Sequence, residues 1–189
     1  MIEEKTNIDR MRSVAIEQYG YITAAQARDL GVSKAALSML LKRERVSRVA
    51  YGVYRIPQVP ATERGRFMLA TLWTGADEAA LSHETALDAY GVCDVNPGQV
   101  HITVAKRRRI ARGGGEGYAV HREDLAPEDL SWWEGIPTVT LRKAIAQCTD
   151  AGTPSYLLHQ AIENGLARGM LLPDEAADLQ TKLAERDGG

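Results

Sequence analysis

Four histidines (His83, His101, His121, His159) and two cysteines (Cys93, Cys148) are the residues of this 189-residue chain best suited to ligate a metal or serve as nucleophiles. Their spacing argues against both roles. Leu87 stands where the second histidine of a His-Glu-x-x-His helix would follow His83-Glu84, and neither cysteine has a Cys-x-x-Cys partner. His101 alternates in an apolar segment, so structural histidines are expected, with no metal and no cofactor. The basic residues form the second set of candidates. Between Ser33 and Ile56, six bases (Lys34, Lys42, Arg43, Arg45, Arg48, Arg55) face one acid, Glu44. A second run, Lys106, Arg107, Arg108 and Arg109, is followed by Arg112 and three glycines. Such densities of Lys and Arg suit contacts to phosphates and base edges. The Gly-x-x-x-x-Gly-Lys-Ser/Thr order of a phosphate loop is absent.

The elements around the first basic run predict how it is presented. A first helix is expected over Ile8–Gln18, with Ile8, Met11, Ala15 and Ile16 inward, ended by Gly20. Thr23 with Gln26 three residues on reads as a capping box, and the helix it starts runs to Leu30. Gly31 allows a turn, and Ser33 caps a second helix reaching Arg43 or Arg45. At 100° per residue, Ala36, Leu37 and Leu40 share one side of that helix; Lys34, Ser38, Lys42 and Arg45 fall within about 80° on the other. A solvated face usually mixes acids with bases. This face has bases and small polar groups only, as a helix entering the major groove requires. Val46–Ala50 and Val53–Ile56 read as strands joined at Tyr51-Gly52, a basic hairpin directly after the helix. Arg48, Tyr51, Tyr54 and Arg55 would then lie along phosphates or the minor groove.

The run from Gly20 to Ala27, then Leu30-Gly31-Val32-Ser33, then Arg48 to Pro57 with its Gly52-Val53-Tyr54 core, resembles the AbiEi antitoxins. These are the transcription-repressing partners in type IV (AbiE) toxin–antitoxin pairs. Where that family often carries a basic residue before the wing glycine, this chain has Tyr51. Ser82-His83-Glu84-Thr85-Ala86, Val100 to Val104 and Gly135 to Thr140 extend the resemblance more loosely, over about residues 17 to 165. The resemblance implies a winged helix-turn-helix that represses its own operon and a second domain that opposes a nucleotidyltransferase-like toxin, without need of a stable complex.

Pro57 and Pro60 mark the expected boundary between a domain at 1–57 and a domain at 58–189. In the second, helices are expected from Arg64, Ser82, Thr140, Pro154 and Pro173, and strands at Val100–Val104, Tyr118–His121 and Pro137–Thr140. The basic run 106–112 then falls in a hairpin loop, either a solvated tip or a second contact to nucleic acid or a toxin. Trp132-Trp133 reads as core in preference to a contact patch. The fold class expected is α+β, a winged helix-turn-helix followed by a mixed α/β domain with a small antiparallel sheet.

The bulk figures fit this division. Residues 1–60 hold 10 Lys+Arg against 6 Asp+Glu, and residues 61–189 hold 13 against 19, so a net charge of −2 conceals a basic first third. No apolar run reaches the roughly 20 residues that span a bilayer, the N-terminus lacks a signal-peptide core, and two lone cysteines suit a reducing cytoplasm. The expected partners are promoter DNA, with inverted repeats, and the cognate toxin, and no membrane. Two alternatives stay open: an enzyme that modifies the toxin, for example by phosphorylation, and a stand-alone winged-helix transcription factor.

Overall fold

The computed structural model describes residues 6–188, an α+β chain that divides into two compact units. The first runs through Asp77 and takes in Ile110–Glu116; the second comprises Glu78–Arg109 and the chain from Gly117 onward. The division therefore differs from the boundary expected at 57/58. The two prolines do interrupt regular structure, but the next helix packs back on the first unit's strands.

In the first unit, helix α1 (Asn7–Glu17) is followed by strand β1 (Tyr21–Thr23), helices α2 (Ala24–Asp29) and α3 (Lys34–Lys42), strands β2 (Ser47–Ala50) and β3 (Val53–Arg55), and helix α4 (Gly65–Thr74). The capping signals act as read. Thr23 and Gln26 form a reciprocal capping box, and the Ser33 hydroxyl accepts the Ala36 N–H at 3.1 Å. Each such cap is worth about 1 kcal/mol. Gly31 takes φ +79, the left-handed geometry that lets the chain double back between α2 and α3. Ile8, Met11 and Ala15 are buried with Ile22, Ala27, Val32, Leu37, Val46 and Ile56, whereas Ile16 is exposed.

The strand β1 was not expected. It pairs antiparallel with β3, which also pairs with β2, giving the order β1-β3-β2. Three residues are too few to show an alternating pattern, and Thr23 reads equally as strand end and helix cap.

The second unit carries a five-stranded sheet in the order β6-β5-β4-β8-β7, built from β4 (Ala80–Leu81), β5 (Val100–Val104), β6 (Tyr118–Arg122), β7 (Leu130–Trp133) and β8 (Ile136–Val139). Helix α5 (His83–Tyr90) and the C-terminal helices α6 (Leu141–Ala151), α7 (Ser155–Ala167) and α8 (Pro173–Gly188) complete it. Leu87, Val139, Ile145, Leu158, Ile162 and Leu183 centre its core. Every expected helix is present.

Two corrections follow. The sheet is mixed, not antiparallel: β5–β6 and β4–β8 are parallel, β4–β5 and β7–β8 antiparallel. The basic run after Val104 therefore lies in a crossover connection, not at a hairpin tip. Trp132 is no core residue; it sits on edge strand β7 at 70% exposure.

Candidate functional site

Helix α3 presents Lys34, Ala35, Ser38, Met39 and Lys42 to solvent while Leu37 is buried beneath. Lys34, Ser38 and Lys42 recur every four residues and so line one strip of the helix. Two side chains on this surface escaped the sequence reading. Ala35 and Met39, the latter 47% exposed, place apolar groups among the bases. A methyl or thioether at such a position suits contact with a thymine methyl in the major groove. The signal was available in principle: neither residue belongs to the apolar side that Ala36, Leu37 and Leu40 define.

Arg43 and Arg45 fall outside the helix. α3 ends at Lys42, Arg43 is its C-cap, and Glu44 turns the chain with φ +54. Both remain exposed, but they line a cleft with Thr6, Asn7 and Asp9 at the start of α1. The helical projection that grouped Arg45 with Lys34 and Lys42 thus overran the helix by about one turn.

The hairpin β2–β3 splits its candidates in two. Arg48 and Tyr51 are exposed; the Arg48 guanidinium lies 5.4 Å from the centre of the Tyr51 ring, and Arg112 lies at the same distance. The Arg112 Nη1 also donates to the carbonyls of Tyr51 and Trp73, at 3.3 and 2.8 Å. The tyrosine before Gly52 therefore has two guanidiniums close to its ring, which brings positive charge to a position lacking a base of its own. Arg55 is committed elsewhere, donating to the Val59 carbonyl at 2.8 Å. Tyr54 is half-buried against the core beneath α3. Arg55 and Tyr54 position the hairpin; Arg48 and Tyr51 face outward.

The second basic run is also heterogeneous. Arg108 makes a bidentate pair with Glu78, Nε to Oε1 at 2.7 Å and Nη2 to Oε2 at 2.6 Å. The Arg108 hydrogen bond pulls the Glu78 carboxyl down to about 2. Lys106, Arg107 and Arg109 are exposed, and the Lys106 backbone N–H is anchored on Asp124 at 3.0 Å. Arg112 belongs to the first unit, the other four to the second. The run thus contains two structural arginines and three exposed bases.

The second unit also assembles something the spacing of its residues concealed. His83, His101 and His121 converge so that one ring nitrogen from each lies within 4.8 Å of the others. Local spacing alone gave no sign that these three histidines meet. His101 and His121 stand on adjacent parallel strands, where Thr103 pairs with His121 and His101 with Ala119, so both side chains leave the same face of the sheet. His83 begins α5. An open cleft of about 470 Å³ beside them is lined by His83, His121, Glu123, Lys143, Gln147 and Asp150.

Burial and the neighbouring rings lower the His83 pKa to about 3, and burial lowers His101 and His121 as well. All three imidazoles are thus neutral at physiological pH. Burial opposes the charge of Glu123, but hydrogen bonds from Lys143 and Gln147 outweigh it and hold the carboxyl below its usual range. The cysteines stay outside: Cys148 is buried, with its thiol pushed up to about 12 by burial, and Cys93 is half-buried.

Among the described residues no helix is long and apolar enough to cross a membrane. No curated protein matches the chain. Among solved structures, the RV2827C protein from Mycobacterium tuberculosis is 15% identical over 94% of this chain and 82% of that one, with a TM-score of 0.43. The helix pair, the hairpin and the exposed bases of α3 lie within one segment, and that segment, residues 9–57, matches the family of transcriptional regulators described as AbiEi antitoxins.

Proposed function

We propose that the chain is the antitoxin of a type IV toxin–antitoxin pair, which represses its own operon by DNA binding and counteracts a nucleotidyltransferase-like toxin in the cytoplasm. In this reading α1–α3 with the β2–β3 hairpin form a winged helix-turn-helix. Helix α3 enters the major groove, where Lys34, Ser38 and Lys42 meet base edges and phosphates, and Ala35 and Met39 meet apolar base surface. Arg48 and the Arg112-flanked Tyr51 lie along the backbone as the wing. Arg43 and Arg45 contribute to the local positive field. The second unit acts on the toxin, through a contact that need not persist. The observation that carries the DNA-binding half is the exposed, acid-free strip of α3 inside the family-matched segment. The antitoxin half rests on the family match itself.

The test pairs two measurements on the full chain. Fluorescence anisotropy against the chain's own upstream DNA should give binding that favours an inverted repeat over scrambled duplex and weakens steeply with salt. Co-expression with the product of the adjacent gene should rescue growth. Equal affinity for scrambled DNA, together with no rescue, overturns the proposal.

A further inference from the structure

Three of the chain's four histidines meet in the second unit although 18 to 38 residues separate them in sequence. The closest nitrogens, His101 Nδ1 and His121 Nε2, are 3.0 Å apart. The His83 ring stacks on His121 with centroids 3.6 Å apart. His83 itself adopts φ +50, a left-handed conformation that a non-glycine residue rarely takes. Local bonds secure it: Gln147 Oε1 accepts the His83 N–H at 3.3 Å, and Ser82 Oγ lies 3.0 Å from His83 Nδ1. The Ser82 contact occupies Nδ1, so Nε2 is the nitrogen of His83 not engaged by it. Fixing the second nitrogen of a ligating imidazole in this way is how proteins orient such ligands.

We propose that His83, His101 and His121 form a binding site for a divalent first-row transition ion, with Zn²⁺ as the first choice. Three imidazoles suit Zn²⁺, Co²⁺, Ni²⁺ or Cu²⁺ and disfavour Mg²⁺ and Ca²⁺, which take oxygen ligands. The nearby carboxylates are engaged elsewhere: Glu123 binds Lys143 at 2.5 Å and Gln147 at 2.7 Å, and Asp150 pairs with Lys182 at 2.7 Å. A tetrahedral ion with bonds of about 2.0–2.1 Å sets its ligand nitrogens roughly 3.4 Å apart. Occupancy opens the 3.0 Å pair slightly and draws the widest pair together by side-chain rotation. Three protein ligands leave a fourth position, and His83 and His121 line the open cleft from which water would fill it.

The experiment uses the untagged full chain, stripped with a chelator and titrated with Co²⁺. One ion per chain should bind, with the intense visible absorption of tetrahedral cobalt, and Zn²⁺ should displace it. Zn²⁺ should also raise the Tm in a concentration-dependent way. His101→Ala and His121→Ala should each weaken binding by at least about a hundredfold, and Ser82→Ala by about tenfold. The exposed His159→Ala should leave it unchanged. The wild-type titration needs no variant, so it decides the matter even if a histidine variant misfolds. Absence of stoichiometric Co²⁺ binding to the folded wild type overturns the site, as does undiminished binding by a folded His121→Ala.

Discussion

At the scale of single residues, exposure separates side chains that can meet a partner from those that hold the fold. Lys34 and Lys42 are exposed, and within α3 neither packs on the buried core. Replacing either with alanine should therefore cost about 1–3 kcal/mol of operator affinity if a base contact is lost, and leave the Tm within a degree or two. Anisotropy and thermal melts on the same samples check both halves. Arg55→Ala should do the reverse, lowering the Tm through loss of its bond to Val59 while changing DNA affinity less. The Glu78–Arg108 pair makes a pH-dependent contribution whose sign can be worked out. Arg108 depresses the Glu78 carboxyl from 4.5 to about 2. A depressed acid stabilises the folded state above its unfolded pKa, and that stability is lost as pH falls through the folded value. The stabilisation should be complete above about pH 5 and fade between about 4.5 and 2. Arg108→Ala should remove that part of the Tm-versus-pH curve, at a cost near neutral pH of up to about 1 kcal/mol for a solvent-accessible pair.

At the scale of elements, legibility followed the range of the interactions. Helices α2 and α3 were readable from their caps (Thr23 with Gln26, and Ser33), and α1 from its apolar spacing and Gly20, all of them local signals. Strands β1 and β4 were not, since two or three residues carry too little pattern and their pairing is set by distant partners, and the short β7 was masked by Trp132-Trp133, which read as core. The same limit misplaced the basic run, because parallel pairing of β5 with β6 cannot be read from either strand alone. It also hid the histidine cluster: the signal exists only once β5, β6 and the start of α5 are adjacent. On α3 the spacing placed Lys34, Ser38 and Lys42 on the exposed strip but passed over Ala35 and Met39 and overran at Arg45, because the helix ends at Lys42.

Helix α4 ties into the first unit: it packs on β1 and β3, and a Cβ on its first residue, Gly65, would crowd the Tyr21 ring at 3.3 Å. A fragment ending at residue 60 lacks this helix, and one ending at 77 keeps it. Chemical denaturation should show the longer fragment to be the more stable by a few kcal/mol, given about 1.5–3 kcal/mol for each large apolar side chain that α4 buries. Equal midpoints and slopes for the two fragments would show that α4 adds nothing to the first unit.

At the scale of the whole molecule, charge and function are expected to divide together. The basic strip of α3 belongs to the first unit, while Lys106, Arg107 and Arg109 are exposed bases in the acidic remainder of the chain. Reversing these three to Glu while sparing Arg108 keeps the pair with Glu78 intact, so the Tm should barely change. The change in formal charge is nonetheless −6, large enough to weaken any phosphate or acidic-surface contact the crossover makes. If the second unit engages the toxin through this segment, growth rescue should fall while promoter affinity stays within about threefold of wild type. Lys34→Ala with Lys42→Ala should give the converse, lost repression with rescue retained. Measuring reporter repression and toxin rescue for both variants in one strain background yields four values, and the crossed pattern is the expected result. A triple reversal that behaves as wild type in both assays would reduce Lys106, Arg107 and Arg109 to solvated surface. Loss of rescue in a stably folded Lys34/Lys42 double variant would show instead that neutralisation needs the DNA-binding face, and that the two activities cannot be separated by unit.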